Sequence, residues 1–115
     1  LPKVSPDTAM NKVLYEISNK RLGLTTIVDE NDRLLGIFTD GDLRRLIDKQ
    51  QGFDVNLAVS DVMIKSPLTI SPEARAVEAL ERMNEKKINQ FVVVDESNKV
   101  IGVLSMHDLI QAGVN

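Results

Sequence analysis

The stretch GIFTDGDL at residues 36–43 decides the fold of this chain, because GVLSMHDL at residues 102–109 repeats it. The offset is 66 residues (102 − 36), and it holds without a gap back to VSPD at 4–7 and ISPE at 70–73. Such a duplication predicts one supersecondary unit that is built twice. Two copies that cannot each close a core should pack face to face, so we expect a ligand in the cleft between them.

Each copy has the pattern of a strand, a helix, two strands and a helix. We therefore predict an α/β (α+β) fold with tandem repeats related by a pseudo-two-fold axis. The first helix of each copy is expected to begin at a Ser-Pro pair, with the serine as N-cap. Its buried face follows from helical spacing: Met10, Val13, Leu14 and Ile17 in one copy, Val77, Leu80 and Met83 in the other, where Ala76 and Ala79 would allow close approach.

Apolar, β-branched runs on either side of a polar turn predict a hairpin in each copy, over 25–38 and 91–104. A final helix is expected to start near Asp40 and near Met106. The residues that these two helices should bury are Leu43, Leu46, Ile47, Leu109 and Ile110. We place the first repeat at 1–52, with its start cut short, a linker at 53–60 and the second repeat at 61–115. The chain thus reads as a fragment of something longer.

Composition limits the function. The chain has 115 residues, 43% of them hydrophobic and 27% charged, with a net charge of −3 and no cysteine. No apolar run approaches the roughly 18 residues that cross a bilayer, and no signal peptide is apparent. We therefore predict a cytoplasmic protein that binds neither membranes nor nucleic acid.

The histidine content argues against catalysis and against a metal centre. His107 is the single histidine of the sequence, so a multi-histidine metal site or an HExxH motif is impossible. A Ser/His/Asp triad is formally possible, but the first copy has Gly41 at the position of His107. We predict that this chain is not an enzyme, with no catalytic residue, no metal and no cofactor.

Two matched junctions carry the chemistry: Thr39-x-x-Asp42 and Ser105-x-x-Asp108. Each places a hydroxyl at the end of a strand and a carboxylate three residues later, at the start of a helix. This pattern is typical of a capping box. The same geometry suits a nucleotide, since a carboxylate accepts from ribose hydroxyls while the hydroxyl and nearby N–H groups meet a phosphate. The two interpretations are compatible.

These paired motifs resemble the CBS domain, present in tandem as a CBS pair (Bateman module), over almost the whole chain. In that family the Thr/Ser-x-x-Asp element contacts the ribose and phosphate of bound nucleotides. By position, the resemblance implies a first site at Lys3, Leu24, Thr25, Thr26, Thr39 and Asp42. It implies a second at Leu68, Asn89, Gln90, Phe91, Ser105 and Asp108.

Three segments are similar to the C-terminal region of bacterial arabinose 5-phosphate isomerases: residues 36–45, 61–63 and 102–113. Those enzymes have a sugar-isomerase (SIS) domain followed by a CBS pair, and they make arabinose 5-phosphate for the sugar Kdo of lipopolysaccharide or capsule. The resemblance implies that this chain is a regulatory part of such a protein. The implied partners are its own SIS domain, a second CBS pair in a homodimer, and a higher homo-oligomer of the parent.

The two copies differ at positions that would choose the ligand. Asp40-Gly41 becomes Met106-His107, and Arg44-Arg45 becomes Ile110-Gln111. Arg44 and His107 are candidates to hold an anionic group, although solvated arginines on a helix explain the former equally well. CMP-Kdo, the activated end product, is the leading ligand hypothesis. The alternatives are CMP, an adenine nucleotide such as AMP or ATP, and a purely structural role in assembly.

Overall fold

The computed structural model describes residues 3–20, 23–50 and 54–113. It divides the chain into two compact units, Leu1–Pro67 and Leu68–Asn115. Each unit carries one small sheet with two helices of its own. The α/β fold class that the sequence predicts is confirmed.

The first unit contains the following elements in chain order: β1 Lys3–Val4, α1 Met10–Lys20, β2 Leu24–Val28, β3 Leu34–Thr39, α2 Asp40–Gln50, a 3-10 helix Val59–Asp61 and β4 Ile64–Lys65. Its sheet has the order β1-β2-β3-β4. β1 is parallel to β2, whereas the β2–β3 hairpin and the β3–β4 pair are antiparallel. The sequence did not predict β4.

The second unit repeats most of this order: β5 Thr69–Ile70, α3 Ala76–Lys86, β6 Gln90–Val94, β7 Val100–Ser105 and α4 Met106–Gln111. Its sheet has the order β5-β6-β7, with β5 parallel to β6 and β6 antiparallel to β7. The strand–helix–strand–strand–helix order is therefore confirmed in both copies.

The same interaction stabilises the turn of both hairpins, and it is made by an aspartate that directly follows the first strand. The Asp29 Oδ1 accepts from the backbone N–H groups of Asn31 and Arg33, at 2.8 and 2.9 Å. Asp95 repeats these bonds with Ser97 and Lys99, both at 2.9 Å. Short polar side chains that bond their own backbone favour turns. The acidic runs at 29–32 and 95–96 therefore shape the hairpin tips, as the sequence predicts.

Each unit has its own hydrophobic core. The first is built on Met10, Val13, Ile17, Ile27, Phe38 and Val59, and Leu14, Leu43 and Leu46 pack against it. The second is built on Ile70, Ala79, Met83, Phe91 and Leu109, with Leu80 packed against it. The predicted apolar face of α1 is confirmed, because 3.6 residues per turn bring these side chains to one side.

The predicted start of the first helix in each copy is wrong, whereas α2 and α4 begin at Asp40 and Met106, as predicted. α1 begins at Met10 and α3 at Ala76, not at Pro6 and Pro72. Each Ser-Pro pair instead forms a turn, in which the serine carbonyl accepts from the N–H of the third residue on, Thr8 or Ala74. Proline at the second position of such a turn is favoured by its fixed φ. The serine hydroxyls bond the nearby acids, at 2.6 Å in both copies.

Three residues predicted to be buried are exposed: Ile47 at 43%, Val77 at 40% and Ile110 at 56%. Ile47 and Ile110 each follow a leucine that faces the core. Consecutive helical residues point about 100° apart, so one apolar neighbour turns outward when the other turns inward. Val77 is the second residue of α3, in a first turn whose residues 76–78 are all exposed.

The stretch before the second repeat packs on the first unit. Val59 is fully buried, and Leu57, Val62 and Met63 pack against the same core. Residues 51–53, which include the end of the predicted first repeat and the first residue of the predicted linker, lie outside the described part of the chain. Within the described part, no helix is both long and apolar enough to cross a membrane.

Candidate functional site: two strand–helix junctions

The junction of the first unit is a reciprocal capping box. The Thr39 N–H donates to the Asp42 Oδ2 at 2.9 Å, and the Asp42 N–H donates to the Thr39 Oγ1 at 3.1 Å. Thr39 ends β3 and Asp40 opens α2, so both bonds close the free N-terminal turn of the helix. The capping interpretation of the motif is thus confirmed in this copy.

A third group holds the same carboxylate. The Arg45 Nη2 donates to the Asp42 Oδ1 at 2.6 Å, one helical turn along α2. The Asp42 side chain is 10% exposed and that of Arg45 67%. Both carboxylate oxygens of Asp42 are therefore occupied within the protein. The sequence analysis does not predict this ion pair.

Among the described residues, the junction of the second unit shows only one equivalent of these three bonds. Ser105 is the N-cap of α4, and its Oγ accepts from the Asp108 N–H at 3.0 Å. Among the described residues, no donor reaches the exposed Asp108 carboxylate. Position 111, which matches Arg45 by the repeat offset, is glutamine and brings no charge. Asp108 thus remains free to accept hydrogen bonds from outside.

Both junctions are fastened to the preceding loop by an equivalent backbone bond. The Asp40 N–H donates to the Gly23 carbonyl at 2.9 Å, and the Met106 N–H donates to the Asn89 carbonyl at 2.8 Å. Gly23 has φ of +72°, and a Cβ there would lie 3.2 Å from the Asp40 Oδ2. Glycine is suited to that left-handed, crowded position.

Strand register decides which other candidate residues share a face with the junction hydroxyls. Side chains directly opposite in neighbouring strands lie on the same face of the sheet. Leu24 is opposite Thr39, and Thr26 lies between Lys3 and Ile37. Lys3, Leu24, Thr26 and Thr39 are therefore brought together. Leu24 and Thr26 are 2% and 0% exposed.

In the second unit the equivalent face holds Gln90, which is opposite Ser105. Phe91 is opposite Leu104 on the other face, within the core, where the Arg82 guanidinium lies 4.8 Å from its ring centroid. Thr25 of the first unit has the same inward position, opposite Phe38 and 0% exposed. The structure therefore separates Thr25 and Phe91 from the junction hydroxyls on the sheet.

The remaining candidates lie at the surface or near it. Asp40, Arg44, Asn89 and His107 are exposed, and Leu68 is 44% exposed. Met106 packs against the second core. Lys3 forms an ion pair with Asp32 at 3.4 Å.

Beside the first junction lies a cavity of about 280 Å³, lined by Phe38, Asp42, Arg45, Leu46 and Val62. Within the described ranges, no group of three or more His, Cys, Asp or Glu side chains is placed to hold a metal ion. The junctions present hydroxyls, helix N–H groups and carboxylates, all of which can form hydrogen bonds.

Comparison with known families identifies the fold. The CBS domain family model matches residues 1–49 and again 59–115. The chain belongs to the CBS domain family. Its two junctions each lie within one of the matched ranges.

Curated proteins that are similar to this chain include arabinose 5-phosphate isomerases. Arabinose 5-phosphate isomerase KdsD of Francisella tularensis is 45% identical over 111 residues, which are 96% of this chain and 33% of that protein. KdsD of Pseudomonas aeruginosa is 44% identical over 115 residues, 99% of this chain and 35% of that protein. The chain thus spans about a third of the length of these curated relatives.

Solved structures confirm the CBS-pair fold. CBSX2 in complex with AMP is 27% identical with a TM-score of 0.82, covering 98% of this chain and 87% of that one. The CBS-domain protein ATU1752 from Agrobacterium tumefaciens has a TM-score of 0.87 at 22% identity, covering 99% of this chain and 90% of that one.

Proposed function

We propose that this chain is the regulatory CBS pair of an arabinose 5-phosphate isomerase and that it binds a nucleotide-containing metabolite. The observation that carries the proposal is the pair of hydroxyl–carboxylate junctions in a CBS-family chain. Support for a nucleotide comes from CBSX2, a 27% identical CBS pair solved with AMP. Support for the parent enzyme comes from the KdsD relatives at 43–45% identity.

The junction chemistry suits a ribose phosphate. A carboxylate accepts from two vicinal hydroxyls at once, and the N–H groups at the start of a helix favour a phosphate. Asp108 is exposed and has no donor among the described residues, whereas Asp42 accepts from Thr39 and Arg45. In this proposal Ser105 and Asp108 contribute the larger share of ribose recognition, with Gln90 on the same face of the sheet.

CMP-Kdo is our first candidate for the ligand, as the activated end product to which arabinose 5-phosphate leads. It offers a cytidine ribose and phosphate to a junction and a sugar carboxylate to Arg44 or His107. An adenine nucleotide is the second candidate, and the AMP complex of CBSX2 favours it. Binding would regulate the isomerase through different affinities for two states of the protein. We place that parent protein in the cytoplasm as a homo-oligomer.

A thermal-shift screen tests the function directly. The panel is CMP-Kdo, CMP, AMP, ADP, ATP and S-adenosylmethionine, because a ligand that binds only the folded state raises Tm. At a concentration about 100 times Kd the stabilisation is about 2.7 kcal/mol. Selective stabilisation by CMP-Kdo supports an end-product sensor, and stabilisation by adenine nucleotides alone supports an energy sensor. A flat response across the panel contradicts the nucleotide proposal and favours a role in assembly.

Matched variants assign the effect to the junctions. Asp42→Asn and Asp108→Asn each remove a charge, and an asparagine at position 42 keeps an oxygen that can accept the capping bond from the Thr39 N–H. Asp48→Asn, on the exposed surface of α2, is the control. We expect the ligand-induced shift to fall in a junction variant and to persist in the control. Equal shifts in all three variants would place the nucleotide elsewhere.

A further inference from the structure

The first unit is completed by a segment that has no counterpart on the second among the described residues. This segment, Val55–Lys65, caps a helix, fills a core and adds a strand. We propose that the second unit carries a matching docking surface for an extended segment of the same kind. By the 66-residue offset, we assign its occupant to the stretch directly preceding Leu1 in a longer protein. This inference does not depend on the proposed ligand.

The start of α1 shows the first contact. The N–H groups of Met10 and Asn11 donate to the carbonyls of Leu57 and Val55, at 2.9 and 3.0 Å. The Val59 N–H returns a bond to the Thr8 carbonyl at 2.9 Å. The segment thus satisfies N–H groups that a helix cannot satisfy itself.

The start of α3 lacks this partner. Ala76 and Val77 match Met10 and Asn11 by the repeat offset. In the described part of the second unit, their N–H groups have no acceptor, and the N-cap Arg75 offers no side-chain bond. Val77 is 40% exposed on this same end of the helix. In the described part of the second unit, the start of α3 thus has two backbone N–H groups without an acceptor and an exposed apolar side chain beside them.

The cores differ in the same way. Val59 is fully buried in the first core, with Leu57, Val62 and Met63 packed beside it. Among the described residues, the second core receives no side chain from an equivalent segment. Phe38 of β3 is consequently 1% exposed, whereas its counterpart Leu104 is half-buried.

Two glycines at the same repeat position show where the missing strand would lie. A Cβ on Gly36 would meet the Met63 Sδ at 2.6 Å and the Ile64 carbonyl oxygen at 2.7 Å, because β4 runs against β3 there. A Cβ on Gly102 would meet nothing within 4 Å. The second copy therefore keeps the small residue that close approach demands, but has no approaching strand among the described residues.

The proposed occupant is an antiparallel strand on the open edge of β7. Addition of a strand to an exposed sheet edge is a general recognition mode, in which backbone bonds supply affinity and side-chain pockets supply specificity. The curated relatives are about three times as long as this chain, which leaves ample chain for the role. The sequence DVNLAVSDVMIKS at 54–66 is the pattern that the occupant should resemble.

The test adds this sequence to the protein. A copy of residues 54–66 is fused directly before Leu1, and a scrambled copy of equal composition serves as control. We expect the native prefix to raise Tm by about 4–8 °C, the shift that roughly 1 kcal/mol gives a small domain. Gly102→Val should remove this gain, yet leave Tm nearly unchanged without the prefix. An equal gain from the scrambled prefix, or a gain that survives Gly102→Val, overturns the proposal.

A cysteine pair measures the register separately, since the sequence has no cysteine. Ile37 and Ile64 are partners in the first sheet, so Ile37→Cys with Ile64→Cys is the positive control. The test pair is Val103→Cys and a cysteine at the prefix position that copies Ile64. An intramolecular disulfide in both proteins supports the docking, because bridging requires Cα atoms about 4.4–6.8 Å apart. A disulfide in the control alone overturns it.

Discussion

The two strand–helix junctions share a backbone turn but use their carboxylates differently. Asp42 accepts from the Thr39 N–H and from Arg45, while the described residues offer the Asp108 carboxylate no donor. A single exchange accounts for much of this contrast: Arg45 in one copy is Gln111 in the other. The two copies therefore share the bond from the aspartate N–H to the capping hydroxyl, but they differ in whether the aspartate carboxylate already accepts hydrogen bonds. In one copy the acid stabilises the helix end, and in the other it is open to a ligand.

The largest expected effect is a difference in stability between valine substitutions at Gly36 and at Gly102. Gly36→Val should destabilise the chain by about 1–3 kcal/mol, because its side chain would overlap Met63 and the Ile64 carbonyl. Gly102→Val should change stability by no more than about 0.5 kcal/mol, as expected at an open surface. Urea unfolding of both variants measures the difference. Equal losses would contradict the described asymmetry of the two edges.

The hairpins, the second helix of each repeat and the junctions were predictable from the sequence. A local pattern of turn residues, β-branched runs and capping groups specifies each of them. The short strand β4 was not predictable, since Ile64–Lys65 is exposed and pairs with β3 only through a long-range contact. The predicted starts of α1 and α3 failed for another reason: Ser-Pro-acid suits a turn as well as an N-cap.

At the candidate site, the features close together in the sequence were predictable, and those set by strand register were not. The spacing of Thr39 and Asp42 predicted the reciprocal cap, because both bonds lie within four residues. The ion pair of Arg45 has the (i, i+3) spacing of helical pairs, so that spacing was the available signal. The inward position of Thr25 and Phe91 depends on strand register, which the sequence alone left open.

The next prediction compares the two caps. Thr39→Val removes the oxygen that accepts from the Asp42 N–H and should cost about 1–2 kcal/mol. Ser105→Ala should cost about 0.5–1 kcal/mol, because α4 is shorter and its cap is not reciprocal. Thermal unfolding followed by circular dichroism checks the order. A larger loss for Ser105→Ala would reverse the comparison.

Replacing Arg45 by the glutamine of the second copy is expected to have a smaller effect on stability. Arg45→Gln copies position 111 and should destabilise the chain by about 0.5 kcal/mol or less, since the arginine is 67% exposed. The same variant frees one oxygen of Asp42, so nucleotide binding at the first junction should strengthen. Titration calorimetry in parallel with unfolding measures both. Weaker binding would show that Arg45 itself contacts the ligand.

The smallest effect concerns the hairpin tip. The backbone N–H of Arg33 holds the pKa of Asp29 below its ordinary value of 3.8, with a further contribution from that of Asn31. A lowered folded-state pKa contributes stability above the unfolded pKa, and this stability is lost as pH falls through the folded value. Asp29→Asn should therefore flatten the stability curve slightly below about pH 4. An unchanged curve would contradict this prediction.

The most direct test of the central claim is an NMR titration of the ¹⁵N-labelled chain with CMP-Kdo and, separately, with AMP. If the second junction is the main binding site, we expect saturable shifts of the backbone amides at 105–108 and Gln90, with smaller shifts at 39–42. Asp108→Asn should weaken the binding that these shifts report. If the amides of both junctions do not shift even at high concentrations of either ligand, nucleotide binding by this CBS pair is contradicted.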